Sequence, residues 1–257
     1  MTNQTASRVM TLCTGDNYMY VYQHGAEACV IDPTESMTVL SVLQKYGLSL
    51  TLILNTHHHG DHVGGNTGLK KVTGCRVVSG STVPGVDRIV ADSDTVPFGD
   101  AQIQVIGTPG HSRFDVCYYM LPKGPHEGGI LWTGDTLFVG GCGRIFGYDA
   151  KTLYASLGKL AQLPDDTRVY CGHDYTIENY QFALMIEPDN DAVKRRLAEV
   201  KDLVAAGQPT VPTTIGHEKM TNVFLRAHTP EVKAALKMTH ATNVEVFTEL
   251  RRRKDMF

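Results

Sequence analysis

The chain has 257 residues, 42% of them apolar and 20% charged, which is enough to bury a substantial core in one large domain or in a domain with a small appendage. A net charge of −3 gives no general surface for nucleic acid or membrane, and no stretch approaches the eighteen apolar residues of a membrane span. Six scattered cysteines without a C-x-x-C pair, and no apolar leader at the N-terminus, lead to the expectation of a cytoplasmic protein with reduced thiols.

Residues 9–12, 18–23 and 28–32 alternate or run apolar between turns at Gly15 and Gly25, so the chain is expected to open as a β-meander. Residues 35–46 carry Met37, Leu40, Val42, Leu43 and Tyr46 at near-helical spacing and stop at Gly47, a predicted amphipathic helix. A buried strand follows over 50–56 and runs into Thr56-His57-His58-His59-Gly60-Asp61-His62-Val63-Gly64-Gly65. Residues two apart on an extended chain point the same way, so His57 and His59 can converge on one ion while His58 is a spectator. Gly60 is expected to turn the chain sharply and bring Asp61 and His62 to a second ion. Imidazoles mixed with a carboxylate suit divalent zinc, iron or manganese. Asp32 has two readings, a carboxylate behind a ligand that orients its imidazole, or the start of the following helix.

Beyond the motif a short helix is expected at 69–72, with strand-like pieces at 76–79, 88–91 and 102–108. The last ends in a Gly/Pro turn tipped by His111. Strand 116–121, a polar loop over 122–129, and a strand into Gly134-Asp135 come next. Residues 168–173 repeat the pattern and end on Gly172-His173. Strand tips that recur with His, Asp and His on glycine turns are what a metal site at a sheet edge requires. Helices are predicted at 151–163 and 190–206. Gln208-Pro209-Thr210-Val211-Pro212 is the best boundary candidate, followed by helices near 231–237 and 244–253. The final Arg251-Arg252-Arg253-Lys254 reads on its own as a solvated helix end.

Taken together, Thr56 to Asn66, Thr108-Pro109-Gly110-His111, Thr133-Gly134-Asp135, Cys142-Gly143-Arg144, Gly172-His173-Asp174-Tyr175-Thr176, Asn222-Val223-Phe224-Leu225-Arg226 and the terminal Arg251 to Phe257 resemble the glyoxalase II (hydroxyacylglutathione hydrolase) family of the metallo-β-lactamase superfamily. The resemblance implies an α/β fold, the αββα four-layer sandwich, over residues 1–174, and a small, mostly helical substrate-binding domain over 175–257. It assigns His57, His59 and His111 to one metal, Asp61, His62 and His173 to the other, and Asp135 as the bridge, with Asp61 and Asp135 also in the catalytic set. The ions are two divalent cations, zinc first, with iron and manganese as alternatives. Arg144, Phe146, Tyr175, Arg251 and Lys254 are the implied substrate-binding residues, cationic groups matching the two carboxylates of glutathione.

The implied activity is hydrolysis of S-(2-hydroxyacyl)glutathione, S-D-lactoylglutathione foremost, giving D-lactate and glutathione in methylglyoxal detoxification. Hydroxide from a water acidified by the two cations attacks the thioester carbonyl. The implied protein is a monomer acting on a small molecule, with no nucleic-acid or membrane partner. A persulfide dioxygenase or another hydrolase of the same superfamily is the alternative. The chain departs from the family at Phe114-Asp115, where members often carry Gly-His, and at Gly147-Tyr148-Asp149, where Glu-Gly-Thr is usual. Phe146 stands where many members have Tyr.

Overall fold

Two-residue turns that need a left-handed backbone set the first sheet. Gly15 and Gly25 adopt φ of +62° and +58°, the conformation glycine takes at no steric cost. They fold β1 (Ser7–Thr14), β2 (Asn17–His24) and β3 (Glu27–Ile31) into the expected meander. This is a computed structural model, and it describes residues 7–122, 124 and 128–257. The chain divides into two compact units, Met1–Gly107 with Phe114–Leu121, and Thr108–Arg113 with Pro122–Phe257.

In the first unit, Glu35 caps helix α1 (Ser36–Tyr46) by accepting the amides of Met37 and Thr38, and Gly47 ends it in the left-handed conformation. The chain then enters β4 (Ser49–Asn55), parallel to β3. Helices α2 (Gly60–Val63) and α3 (Asn66–Thr73) lead to β5 (Arg76–Ser79) and β6 (Arg88–Ile89). The sheet order is β1 to β6, antiparallel for the meander and parallel from β3 onward. Met19, Val21, Val30 and Ile53 pack there against Val39 and Leu43 of α1 and Leu69 of α3, with Leu40 and Val42 partly buried beside them. Met37 and Tyr46 of the predicted stripe are exposed, because the buried face of α1 centres on Val39 and Leu43. Strands β7 (Thr95–Phe98), β8 (Ala101–Gly107) and β9 (Val116–Met120) form an antiparallel ladder. Short β7, interrupted by Pro97, has no sequence signal. Phe98 ties it down, edge-on to Tyr22 at 5.8 Å between ring centroids.

In the second unit, β10 (Ile130–Gly134) runs parallel to β13 (Arg168–Cys171), and β14 (Thr213–Thr214) pairs antiparallel with β13. Between β10 and β13 lie a small hairpin, β11 (Leu137–Phe138) with β12 (Gly141–Cys142), and helix α4 (Ala150–Leu160), capped by Asp149. Five helices complete the unit: α5 (Thr176–Ile186), α6 (Asp191–Ala205), α7 (Ile215–Thr221), α8 (Pro230–Ala235) and α9 (Asn243–Asp255), the last opened by a Thr242/Glu245 capping box. Helix α5 escaped the sequence reading because Tyr180, Phe182, Ala183 and Ile186 are all buried and leave no single apolar stripe. The Pro-rich stretch at 208–212 is not a boundary, since it leads straight into β14 of the same unit. Of the polar loop expected at 122–129, residues 123 and 125–127 lie outside the described residues. Among the described residues no two cysteines are bridged, and no helix is long and apolar enough to cross a membrane.

Candidate metal centre

Each unit carries its own cluster of ligand-type side chains. In the first, the run Leu52-Ile53-Leu54 is buried on both faces of β4, which fixes the chain up to Asn55. His57 and His59 follow the strand end with ring centroids 4.7 Å apart, while His58 is exposed. Gly60 does not make the sharp turn expected of it. It begins α2, whose one turn carries Asp61 and buried His62. The glycines that close packing requires are Gly64, where a Cβ would run into the Thr34 carbonyl oxygen, and Gly65, where it would stand 2.9 Å from Pro33 and Glu35.

Asp32 decides the orientation of this cluster. It is buried, adopts φ of +48°, a left-handed conformation Asp tolerates, and donates its backbone N–H to Leu54 at 3.0 Å. Its Oδ1 accepts the Thr56 amide at 2.8 Å and its Oδ2 the Thr56 hydroxyl at 2.6 Å. The same Oδ2 lies 3.2 Å from His62 Nδ1. With its proton given to Asp32, the Thr56 hydroxyl oxygen accepts from His57 Nδ1 at 3.0 Å. Both imidazoles therefore carry the proton on Nδ1 and the lone pair on Nε2. Asp32, His57 and His62 group together as potential ligands, yet both Asp32 oxygens already accept hydrogen bonds. It stands behind the imidazoles, and helix α1 takes Glu35 as its cap instead.

Three asparagines that the sequence reading passed over brace the same segment. Asn17 Nδ2 donates to the Asp61 carboxylate at 3.0 Å. Asn55 Nδ2 donates to the His62 carbonyl at 2.9 Å, and Asn66 Nδ2 to Asn55 Oδ1 at 2.8 Å. Only their placement beside the motif, Asn55 before it and Asn66 after it, was a signal.

In the second unit, parallel β10 and β13 end at the same edge with Gly134 opposite Cys171, and Gly172 N–H donates to the Gly134 carbonyl at 2.8 Å. Asp135 and His173 thus emerge side by side. Gly110, at φ +147° with no room for a Cβ beside Leu153, delivers His111 to them. Asp135 Oδ2 lies 3.4 Å from both His111 Nε2 and His173 Nε2. His111 Nδ1 donates to the Arg144 carbonyl at 2.9 Å, so a nitrogen lone pair faces a carboxylate oxygen in a buried setting. A shared cation satisfies that arrangement, and nitrogen and carboxylate donors together form the donor set of a divalent metal site.

The residues expected to meet substrate fall into two groups. Arg144 and Phe146 are largely exposed, and Phe146 meets the His111 ring edge-on at 5.5 Å. Tyr175, 36% exposed, stacks on His173 at 4.9 Å with planes 7° apart. Arg251 and Lys254 are buried. Arg251 donates to the Cys142 carbonyl at 2.9 Å and pairs with Asp255, while Lys254 pairs with Glu178.

The family model for the metallo-beta-lactamase superfamily matches residues 14–83 and 79–173, and that for the hydroxyacylglutathione hydrolase C-terminus matches residues 174–257. A hydroxyacylglutathione hydrolase of Rhizobium etli is 44% identical over 253 residues, 96% of each chain. One of Rhodopseudomonas palustris is 46% identical over 255 residues, 96% of this chain and 97% of that one. Among solved structures, ETHE1 from Myxococcus xanthus superposes with a TM-score of 0.67 at 26% identity, covering 96% of this chain and 90% of its own. TTHA1623 in a di-iron-bound form gives 0.59 at 28% identity, covering 84% and 99%. The fold is that of the metallo-β-lactamases, with a C-terminal helical region. Matched over nearly its whole length by both models and by these relatives, the chain belongs to the hydroxyacylglutathione hydrolase family of the metallo-β-lactamase superfamily.

Proposed function

We propose that this chain hydrolyses S-(2-hydroxyacyl)glutathione, S-D-lactoylglutathione foremost, to the 2-hydroxy acid and glutathione. The observation that carries the reading is Asp135 Oδ2 standing 3.4 Å from two imidazole nitrogens, in a chain 44% identical to a hydroxyacylglutathione hydrolase over 96% of its length. In this reading His57, His59 and His111 would hold one divalent ion, Asp61, His62 and His173 the other, and Asp135 would be available to both. Zinc is the first choice, with iron and manganese as alternatives. Such ions, when bound, acidify a water toward neutrality and polarise the thioester carbonyl.

The chain's own residues do the positioning. Asp32 and Thr56 hold the Nδ1 protons of His62 and His57, which turns both Nε2 atoms outward. Asn17 aims Asp61. A thiol ionises near pH 8.5, so the leaving sulfur requires no dedicated acid.

For the glutathione carrier we assign Arg144, Phe146 and Tyr175 as direct contacts. Arg251 and Lys254 already hold the half-exposed carboxylates of Asp255 and Glu178, so they reach a substrate carboxylate by exchanging those partners. The division into a catalytic part, 1–174, and a helical substrate-binding part, 175–257, follows the limits of the family matches, and a cytoplasmic monomer completes the reading. The persulfide dioxygenase alternative is not favoured by the relatives' names.

The test is loss of the thioester of S-D-lactoylglutathione with purified protein, with metal content determined on the same sample. Metal-dependent hydrolysis with about two ions per chain is expected. A fully metallated sample that leaves the thioester intact and consumes oxygen with a glutathione persulfide overturns the reading.

A further inference from the structure

The buried hairpin β11–β12 is short, two residues in each strand, and several of its backbone groups are met by side chains from outside it. Side chains from three helices, and the residue closing one of them, do this work. Asn179 of α5 donates to the Val139 carbonyl at 3.0 Å. Asn222, which closes α7, donates to the Gly141 carbonyl at 2.9 Å. Arg251 of α9 donates to the Cys142 carbonyl at 2.9 Å. The Gly140 N–H donates to Glu218 Oε2 of α7 at 2.9 Å. Gly140 sits at φ +70° with a would-be Cβ 2.9 Å from the Tyr180 ring, so the loop is pressed onto α5 with no room to shift.

What the hairpin carries explains the investment. Phe138 meets the Tyr175 ring edge-on at 5.4 Å and the His173 ring at 6.1 Å. The chain leaving β12 passes through Gly143, where a Cβ would stand 2.9 Å from His111 Nδ1, to Arg144, whose carbonyl fixes the His111 tautomer. The hairpin therefore borders two candidate ligands and the stacked tyrosine.

We propose that Glu218 is a positioning residue for the hydrolysis, holding the hairpin at Gly140 and so setting His111, His173 and Tyr175 without touching substrate. A wholly buried carboxylate is an expensive way to bind one amide. Glu218 is nevertheless met by three donors, since Asn222 Nδ2 shares Oε2 at 2.9 Å and the Thr213 hydroxyl reaches Oε1 at 2.8 Å. It joins the hairpin, β14 and the end of α7 through one side chain. A structural filler at this position needs none of these bonds; an acceptor for Gly140 N–H needs a side-chain oxygen at this reach.

The proposal rests on the thioesterase reading, and its test keeps the two apart. Glu218→Gln retains an oxygen for Gly140 and Asn222 and offers its amide N–H to the Thr213 hydroxyl, whereas Glu218→Ala removes every contact. Hydrogen–deuterium exchange of the metallated full chain is measured over residues 137–143, together with kcat and KM for S-D-lactoylglutathione. Expected are protection of that segment in the wild type and in Glu218→Gln, with kcat within about threefold, and loss of protection with a kcat at least about tenfold lower in Glu218→Ala. If Glu218→Ala does not fold, Glu218→Met, which keeps the bulk and removes the acceptor, is read the same way. Wild-type protection and kcat in Glu218→Ala, or Glu218→Gln as damaged as Glu218→Ala, overturns the proposal. An inactive wild type with a protected segment overturns the thioesterase reading alone.

Discussion

Asp32 Oδ2 lies 3.2 Å from His62 Nδ1 while the same carboxylate takes the amide and hydroxyl of Thr56, so one buried side chain governs the tautomers of both His62 and, through Thr56, His57. Groups that hold a ligand's other nitrogen typically change metal affinity 10–100-fold when removed. Asp32→Ala is expected to weaken metal binding by about that factor with the fold retained, read by competition with a chromophoric chelator. Affinity unchanged from the wild type shows that the imidazoles are oriented by something else.

Asn17 and Asp61 lie 44 residues apart in sequence and meet at 3.0 Å. The Asp61 side chain is 45% exposed, and a carboxylate on a one-turn helix with that freedom needs a partner to aim it. Asn17→Ala should lower metal occupancy and kcat together, by about tenfold in kcat, with little change in KM. Full occupancy with a normal kcat removes Asn17 from the account.

Asp135 brings two imidazoles to one oxygen. On the proposed assignment Asp135→Ala removes the ligand common to both ions, so turnover should fall below detection and metal content below that of the wild type, measured by elemental analysis after gel filtration. Retained metal with lost turnover would move Asp135 from ligand to proton handling.

The candidate ligands were legible because their signals are local. Each stands one to a few residues beyond an apolar run on a glycine-bearing turn, so strand, turn and ligand read as one unit at His57, His111, Asp135 and His173. Their supports were not. Asn17, Asn179 and Glu218 look like solvated polar residues until folding brings partners 44, 40 and 78 positions away to them. Helix α5 lacked a stripe because it is buried on several sides. The basic end of α9 shows both outcomes. Arg252 reads correctly as a solvated residue, whereas Arg251 and Lys254, three apart on one face, are buried in pairs that sequence alone does not reveal.

Burial raises the Glu218 carboxyl from 4.5 to about 7 against three hydrogen bonds that pull it down, with Arg196, Tyr180 and Cys171 the other titratable groups facing it. Between those values the folded chain holds a proton that the unfolded chain has released. Its contribution is therefore complete below pH 4.5 and is lost as pH rises through about 7. The stability of Glu218→Gln relative to wild type should grow by up to about 3 kcal/mol from pH 4.5 to 8, measured by denaturant unfolding. Parallel pH profiles for the two proteins would show that Glu218 titrates as it does in the unfolded chain.

Lys254 is buried against Glu178, whose own side chain is 56% exposed. If a substrate carboxylate takes the place of Glu178, the two mutations at this pair act in opposite directions. Lys254→Ala removes the cation and should raise KM about tenfold at unchanged kcat, since the contact is made equally in ground and transition states. Glu178→Gln removes a competitor carboxylate and leaves the ammonium available, so KM should fall, with the larger fall at low ionic strength where the pair is least screened. A KM that rises in both variants means that the pair holds α5 to α9 as a unit and meets no substrate carboxylate.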